Sequence, residues 1–271
     1  MRCRIHRVML LVLVMVGSAA PWAASANEAA RATALKGTYV AVRHGESVPS
    51  SERRICSSMA AGVDPRNGLT PKGRAETSAA TEAWIDAQGA QLENALRNQR
   101  LVILTSPFSR TRETAAIIAE TLERRFATDL AIAPGTLNQQ IRVEPALRER
   151  DFGGHEGSPR SGRIYPSVWA EDARDPDFIG GGVERAAAVQ RRMLAVVFRL
   201  EAESHADAAR FYVLVAHGDP LKILAAGFSG LSASAHQDSN QVPPFATAEF
   251  RTLRWVVTPA VQGNAKASAA P

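Results

Sequence analysis

The sequence contains very little cysteine, and its N-terminal apolar run is too short to cross a membrane. Only two of the 271 residues are cysteines, Cys3 and Cys56. A framework of several disulfides is therefore excluded, and a packed core must stabilise the fold. The uninterrupted apolar run from Val8 to Val16 has nine residues, whereas a membrane-spanning helix needs about 20.

The first 26 residues have the pattern of a secretory signal. Three arginines precede the apolar run, and Ala24-Ser25-Ala26 follows it as an A-x-A cleavage site before Asn27. The sequence therefore predicts a periplasmic or secreted protein with no membrane span after cleavage. Cleavage removes Cys3, so the exported chain keeps only Cys56 and cannot form an intramolecular disulfide.

The charge balance gives no indication of a nucleic-acid partner. The whole chain has 32 basic and 27 acidic residues. Removing the three arginines of the signal leaves 29 basic against 27 acidic residues, a net charge of +2. No basic stripe interleaved with aromatic residues is present to follow a phosphate backbone.

Residues 27–262 are long enough for one sizeable domain, and no repeat or linker divides them. The last residues, 263–271 (GNAKASAAP), lack apolar periodicity and are predicted to be disordered. Short β-type runs alternate with longer segments of helical spacing, which predicts an α/β fold. We expect a three-layer αβα sandwich with a mostly parallel central sheet.

The apolar pattern places five strands and four longer helices. The predicted strands are Thr38–Val42, Leu101–Thr105, Ile141–Glu144, Phe211–Ala216 and an edge strand within Thr247–Val257. The predicted helices are 70–88, which opens with Thr70 as N-cap and Pro71 at the first position, 109–125, 183–205 and 220–227.

Three of these strands end in polar residues that suit catalysis. The first is followed by Arg43-His44, the second by TSPFSR with Arg110, and the fourth by His217-Gly218. Ligands of open α/β sheets bind beyond the carboxyl ends of the strands. Two arginines and two histidines at that edge would suit a dianionic phosphoryl group, and a neutral imidazole can attack phosphorus.

Several ordered motifs resemble those of the histidine phosphatase superfamily, first branch, which includes the cofactor-dependent phosphoglycerate mutases. They are VRHGES at 42–47, LTPKGRAE at 69–76, TSPFSRTRETA at 105–115, LRERDFGGHEG at 147–157, GGVE at 181–184 and VAHGD at 215–219. The resemblance covers most of residues 38–257 and implies a phosphoglycerate mutase-like fold. It also implies a phosphorylated small molecule as substrate.

Matched by position, the resemblance makes His44 the nucleophile that becomes phosphohistidine. Arg43, Arg110 and His217 would complete the phosphate pocket, and Glu149 matches the general acid. Ser47 and Gly218 lie within the matching motifs and are predicted to contact substrate, together with Arg43, Arg110 and His217.

The identity of the general acid has one alternative. Asp219 lies two residues past His217, whereas in the second branch of the superfamily the acid directly follows the corresponding histidine. We therefore expect Glu149 to be the acid. No cofactor and no metal are predicted, because His155 and His205 belong to no tight cluster of metal ligands.

Two segments depart from the pattern of the mutases. Residues Val48 to Gly68 form a long connection with Arg53 and Arg54, which either meet an acidic substrate or are solvated. The segment 158–182 has separated arginines instead of an adjacent pair. We therefore expect an exported phosphomonoester hydrolase. The alternatives are a phosphoglycerate mutase-type phosphotransferase and a non-catalytic phospho-ligand-binding protein.

Overall fold

The computed structural model describes residues 34–160, 162–204 and 209–257. The predicted signal 1–26, the predicted tail 263–271 and His205 lie outside these residues. No helix of the described ranges is both long and apolar enough to cross a membrane.

The described residues form one five-stranded sheet. The strands are β1 (Thr38–Arg43), β2 (Leu101–Thr105), β3 (Arg142–Val143), β4 (Phe211–Ala216) and β5 (Phe250–Leu253). Their order is β3-β2-β4-β1-β5, and only β5 runs antiparallel to its neighbour. The prediction of an α/β fold with a mostly parallel sheet is confirmed.

Helices connect the strands. The α-helices are α1 (Val48–Ser51), α2 (Met59–Gly62), α3 (Pro71–Gln88), α4 (Ala90–Arg97), α5 (Ser109–Leu130), α6 (Thr136–Gln139), α7 (Ile164–Arg174), α8 (Ala186–Glu203) and α9 (Gly218–Phe228). Short 3₁₀ turns occur at Pro65–Asn67, Pro145–Leu147, Gly153–His155 and Ala233–Gln237.

The sheet separates two apolar cores because successive strand residues point to opposite faces. On β4, Tyr212 and Leu214 pack toward α8 and α9, whereas Phe211 and Val213 pack toward α3, α4 and α5. Every residue of β4 is buried. Such two-sided burial explains why its sequence, FYVLVA, is continuously apolar instead of alternating.

Most predicted elements occur where the sequence pattern placed them. β2, β4 and α3 have the predicted bounds, and Thr70 caps α3 by accepting a hydrogen bond from the Gly73 N–H. Helix α5 continues five residues beyond the predicted end at 125, and α8 begins at Ala186 instead of 183. The predicted strands 141–144 and 247–257 are too long, because at these sheet edges fewer residues pair with a neighbour.

Helix α7 was not predicted by the sequence pattern. It contains Pro166, which lies in the first turn, where proline is tolerated because no intrahelical N–H is needed there. Its mixed polar and aromatic sequence, IYPSVWAEDAR, has only one buried residue, Asp172. The helix places two aromatic residues beside the edge of the sheet where β1, β2 and β4 end.

Candidate active site

A cavity of about 110 Å³ lies at the carboxyl ends of β1, β2 and β4. Each strand leads directly into a residue of the site: His44 follows β1, Arg110 lies in the first turn of α5 after β2, and His217 is the N-cap of α9 after β4. The cavity is lined by Arg43, His44, Ser47, Pro49, Ser50, Arg54, Cys56, Ser57, Arg110, Glu149, Arg160, Tyr165, Trp169, Gly218, Asp219, Lys222, Pro244 and Phe245.

His44 is buried with one ring nitrogen directed toward an arginine. Its Nδ1 lies 2.7 Å from the carbonyl oxygen of Gly45, and Arg110 Nε lies 3.1 Å from its Nε2. Because the carbonyl can only accept and the guanidinium can only donate, Nδ1 carries the proton and Nε2 carries the lone pair. Burial lowers the pKa of His44 well below its usual value, and Arg110 and Arg43 lower it further. The ring is therefore a neutral imidazole whose unprotonated nitrogen is Nε2.

His217 lies beside His44, with their ring centroids 5.3 Å apart. Its Nε2 is 2.8 Å from the hydroxyl of Ser106, which also accepts a hydrogen bond from the Phe108 N–H. Burial is the largest cause of a pKa well below the usual value for His217, followed by Arg110 and His44. Nδ1 is buried and has no hydrogen-bond partner among the described residues. If the Ser106 hydroxyl donates to Nε2, this Nδ1 carries a proton that is free for a ligand.

Arg43 and Gly218 form the adjoining side of the site. Arg43 Nη1 donates to the carbonyl of Phe245 at 2.6 Å, while its buried Nε has no partner within the described ranges. A Cβ at Gly218 would lie 3.3 Å from this Nε, so a side chain there would press on the guanidinium. Gly218 also begins α9, whose first N–H groups favour a bound anion.

Arg110 contacts both His44 and the Val48–Gly68 connection. Its Nη2 donates to the Cys56 carbonyl at 2.9 Å, and its Nη1 lies 3.5 Å from the Cys56 sulfur. Cys56 is a buried free thiol, and burial raises its pKa. Helix α5 also contributes Thr114, whose hydroxyl accepts from the Gly45 N–H at 3.2 Å. Thr114 therefore supports the loop that follows His44.

Glu149 enters the cavity from the loop after β3. Its Oε2 lies 3.8 Å from Arg110 Nη2 and 3.8 Å from His217 Nδ1. Burial raises the pKa of Glu149, Arg110 opposes that rise, and the nearby Asp219 adds to it. A carboxyl with these neighbours can retain a proton at a higher pH than an ordinary glutamate.

Asp219 lines the same cavity, but its oxygens are engaged by a buried network. Arg150 Nη1 lies 3.3 Å from Oδ2, and the Trp169 Nε1–H donates to Oδ1 at 3.0 Å. Arg150 also binds Asp172 with two hydrogen bonds of 2.6 and 2.8 Å. His236 lies 3.0 Å from Asp172 and 3.5 Å from Asp219. The network joins α7 to α9.

The Val48–Gly68 connection covers one side of the cavity. It is ordered by α1, α2 and a 3₁₀ turn, and it supplies Pro49, Ser50 and Arg54 to the lining. Ser47 and Ser50 form a mutual hydrogen-bonded cap at the start of α1. Arg54 is hydrogen-bonded to Glu52 and Asn67 while facing the cavity, whereas Arg53 is exposed and is not part of the lining.

The structure thus brings the predicted residues together. Arg43, His44, Ser47, Arg110, Glu149 and Gly218 line one cavity, and His217 is buried beside them. His155 is half-buried and does not line this cavity. Within the described parts of the chain no group of three His, Cys, Asp or Glu side chains is arranged to hold a metal ion.

Sequence reasoning missed several residues of the site. They are Arg150, Tyr165, Trp169, Asp172, Lys222 and His236. For Lys222 a signal was available, because a lysine within the apolar helix GDPLKILAAGF is unusual for a buried face. For His236, in the polar stretch SASAHQ, no local pattern indicates burial next to two carboxylates.

Comparison with known proteins identifies relatives of the whole described domain. The family model for the histidine phosphatase superfamily (branch 1) matches residues 39–255. No curated protein matches the chain.

Two solved structures show the same fold. A mycobacterial glucosyl-3-phosphoglycerate phosphatase has a TM-score of 0.56 at 20% identity, covering 82% of this chain and 100% of its own. A phosphoserine phosphatase from Entamoeba histolytica, in complex with 3-phosphoglyceric acid, has a TM-score of 0.53 at 17% identity, covering 80% of this chain and 89% of its own.

The two neutral histidines predict that stability falls at acidic pH. In the native protein the pKa values of His44 and His217 lie well below the usual value, whereas histidines in the unfolded chain have a pKa of about 6.5. As the pH drops from about 7.5 to 5.5, the unfolded state takes up protons that the native state does not, so the free energy of unfolding decreases. His44→Asn should reduce that decrease by about 1 kcal/mol, measured by urea unfolding at both pH values.

Glu149 changes the free energy of unfolding in the opposite direction. Its raised pKa stabilises the native state at low pH, and that stability is lost as the pH rises. Comparing His44→Asn with the wild type therefore isolates the contribution of His44 to the pH dependence of stability. His155→Asn is the matched control. An unchanged decrease in the His44→Asn protein would contradict a neutral, buried His44.

Proposed function

Because the chain belongs to branch 1 of the histidine phosphatase superfamily and is a phosphoric monoester hydrolase, we propose that it is an exported phosphatase acting through a phosphohistidine on His44. Its substrate is a small phosphomonoester, and the alcohol is released first. The observation that carries the proposal is the lone pair on His44 Nε2, held in a cavity beside Arg43 Nε and His217 Nδ1, two buried nitrogens that have no hydrogen-bond partner among the described residues.

The substrate's phosphoryl group would occupy the space between these donors. Its oxygens would accept hydrogen bonds from Arg43, Arg110 and His217 and from the first N–H groups of α9. These donors are fixed before the substrate arrives, so they stabilise the charge on the equatorial oxygens at little cost in reorganisation. In the free protein both histidines are uncharged because burial and the charge of Arg110 lower their pKa values.

In the first step His44 Nε2 attacks phosphorus, and the bond from phosphorus to the ester oxygen breaks. The ester oxygen takes the electron pair of that bond and a proton from Glu149, and it leaves as an alcohol. In the second step water attacks the phosphohistidine and transfers its proton to the Glu149 carboxylate. The bond from phosphorus to nitrogen breaks, its electrons return to Nε2, and inorganic phosphate is released.

The contacts of the two candidate acids favour Glu149. Its Oε2 faces the cavity, and burial raises its pKa, so a proton is retained for the leaving oxygen. Asp219 instead accepts hydrogen bonds from Arg150 and Trp169. Both oxygens of Asp219 are therefore engaged by protein donors, which leaves Glu149 as the carboxyl better placed to reach the leaving oxygen.

Substrate specificity would be determined by the walls of the cavity that lie away from the edge of the sheet. Val48–Gly68 forms one wall, and α7 forms another through Tyr165 and Trp169. Arg160 reaches the cavity, whereas Arg163 and Arg174 of the same segment do not line it. Among the described residues of the segment 158–182, Arg160 is thus a single arginine at the cavity and not one of an adjacent pair, which favours a phosphatase over a mutase-type phosphotransferase.

Replacing the nucleophile should abolish turnover. His44→Ala removes the nitrogen that forms the covalent intermediate, so release of phosphate from p-nitrophenyl phosphate should fall to background while the far-ultraviolet circular dichroism stays unchanged. Acid-labile, base-stable phosphate should be trapped on the wild-type protein and not on the variant. His155→Ala is the matched control, and an active His44→Ala protein would rule out this mechanism.

Replacing the proposed acid should harm poor leaving groups most. In Glu149→Gln the single-turnover phosphorylation rate with an alkyl phosphate should fall about 10²- to 10⁴-fold. The fall should be much smaller with p-nitrophenyl phosphate, because nitrophenolate leaves without a proton. Asp219→Asn is the comparison variant. A leaving-group-dependent loss at Asp219, with none at Glu149, would transfer the acid role to Asp219.

Export can be tested from the N-terminus of the protein produced in a Gram-negative bacterial host. The basic start, the apolar run and the Ala24-Ser25-Ala26 site predict a mature chain that begins at Asn27 in the periplasm or medium. Mass spectrometry of the fractionated protein measures this directly. Ala26→Leu should block processing at this site, and a wild-type chain that keeps residue 1 in the cytoplasmic fraction would refute export.

A further inference from the structure

Lys222 is a buried lysine whose ammonium group has no hydrogen-bond acceptor in the part of the chain that the structure describes. The residue is only 4% exposed. Throughout the described ranges no hydrogen bond or ion pair involves its Nζ, which lies 5.1 Å from the centre of the Trp169 ring. Burial lowers the pKa of Lys222. Because Lys222 lines the cavity and its ammonium group has no acceptor among the described residues, a ligand in the cavity that supplies an anionic acceptor would be favoured there.

The position of Lys222 on α9 directs it into the active-site cavity. It lies three residues after Asp219, which places both on the same face of the helix, and both line the cavity. Lys222 also lies four residues after Gly218, which is the N-terminal end of α9 and faces the proposed phosphoryl position. Its backbone is therefore about 6 Å farther along the helix axis than that end. The backbone of Lys222 therefore lies behind that end of the helix, and its ammonium group enters the cavity beside the Trp169 ring.

Neighbouring carboxylates do not neutralise Lys222 by contact. Asp219 raises the pKa of Lys222 through its charge, but in the part of the chain that the structure describes the two side chains form no ion pair within 4 Å. The oxygens of Asp219 are instead engaged by Arg150 at 3.3 Å and Trp169 at 3.0 Å. The ammonium group is left to face the cavity.

We propose that Lys222 binds a second anionic group of the substrate, a carboxylate or a second phosphate carried by the part that leaves as the alcohol. The inference rests on the proposed function and narrows it: the substrate is a small phosphomonoester with an additional acid group. Trp169, stacked against the lysine, would shield this contact from water and strengthen it.

A different role for Lys222 would be to hold the transferred phosphoryl group itself. The two roles predict different behaviour toward substrates. A ligand of the phosphoryl group would matter equally for all phosphomonoesters, whereas a ligand of a second acid matters only for substrates that carry one. The test therefore compares, for each variant, the kcat/KM of a substrate with a second acid group with the kcat/KM of one without it.

The experiment uses the mature protein and three phosphomonoesters with the same three-carbon chain: propyl phosphate, 3-phosphooxypropanoate and 1,3-propanediol bisphosphate. The measured quantity is kcat/KM for each acid-bearing substrate divided by kcat/KM for propyl phosphate. Lys222→Met keeps the length and apolar stem of the side chain, and Lys222→Arg keeps the charge. Lys36→Met, at an exposed lysine before β1, controls for the loss of one positive charge.

The wild type should prefer at least one acid-bearing substrate, and the preferred one identifies the acid as carboxylate or phosphate. Lys222→Met should lower that ratio by about 10- to 100-fold, the usual effect of removing a hydrogen bond to a charged group. Lys222→Arg should retain most of it, and Lys36→Met should retain all of it. A wild type without preference, or an equal loss for all three substrates in Lys222→Met, would overturn the proposal.

A binding measurement separates this inference from the hydrolase mechanism. Dissociation constants of the same three compounds are measured by calorimetry in His44→Ala and in His44→Ala with Lys222→Met. Selective weakening for an acid-bearing compound supports the second-anion site even if the protein hydrolyses none of them, in which case the proposed function alone fails. Equal dissociation constants in the two proteins for every compound would refute the site.

Discussion

The parallel register between β1 and β4 is the constraint on which the site depends. Arg43 pairs with Ala216, so the next residue of each strand, His44 and His217, leaves the sheet at the same level. Adjacent residues of a strand point to opposite faces, and a slip of one residue would turn the two histidines away from each other. The apolar sequences of both strands, buried on both faces, prevent that slip because it would exchange the side chains of the two cores.

Much of this arrangement could be predicted from sequence. The strands β2 and β4 and the helix α3 were found from apolar runs and from the Thr70-Pro71 start, because these elements are defined by local patterns. The convergence of His44, Arg110 and His217 was predictable because the carboxyl ends of parallel strands share one edge. The edge strands were less predictable, since their length depends on which residues find a partner and not on their own composition.

The missed residues share a different property. Asp172 and His236 come from segments far apart in sequence, yet they meet in one buried network with Arg150. Nothing in the local sequence records that meeting, because it depends on how α7 packs against the 3₁₀ turn at 233–237. Removing the Asp172 carboxylate would break both of its hydrogen bonds to the buried Arg150, and breaking a buried ion pair typically costs about 3 to 5 kcal/mol.

The Val48–Gly68 connection and the loop after β3 are joined to each other by hydrogen bonds. Glu156 accepts three hydrogen bonds, from the N–H and hydroxyl of Ser57 and from the N–H of Ser58. The backbone of Ile55 is hydrogen-bonded to the two residues that follow Glu156, Gly157 and Ser158. The connection after β1 and the loop after β3 are thus coupled by hydrogen bonds. Loss of the Glu156 carboxylate would leave the N–H groups of Ser57 and Ser58 without their acceptor, so one substitution in the loop after β3 would also disturb the opposite segment of the site.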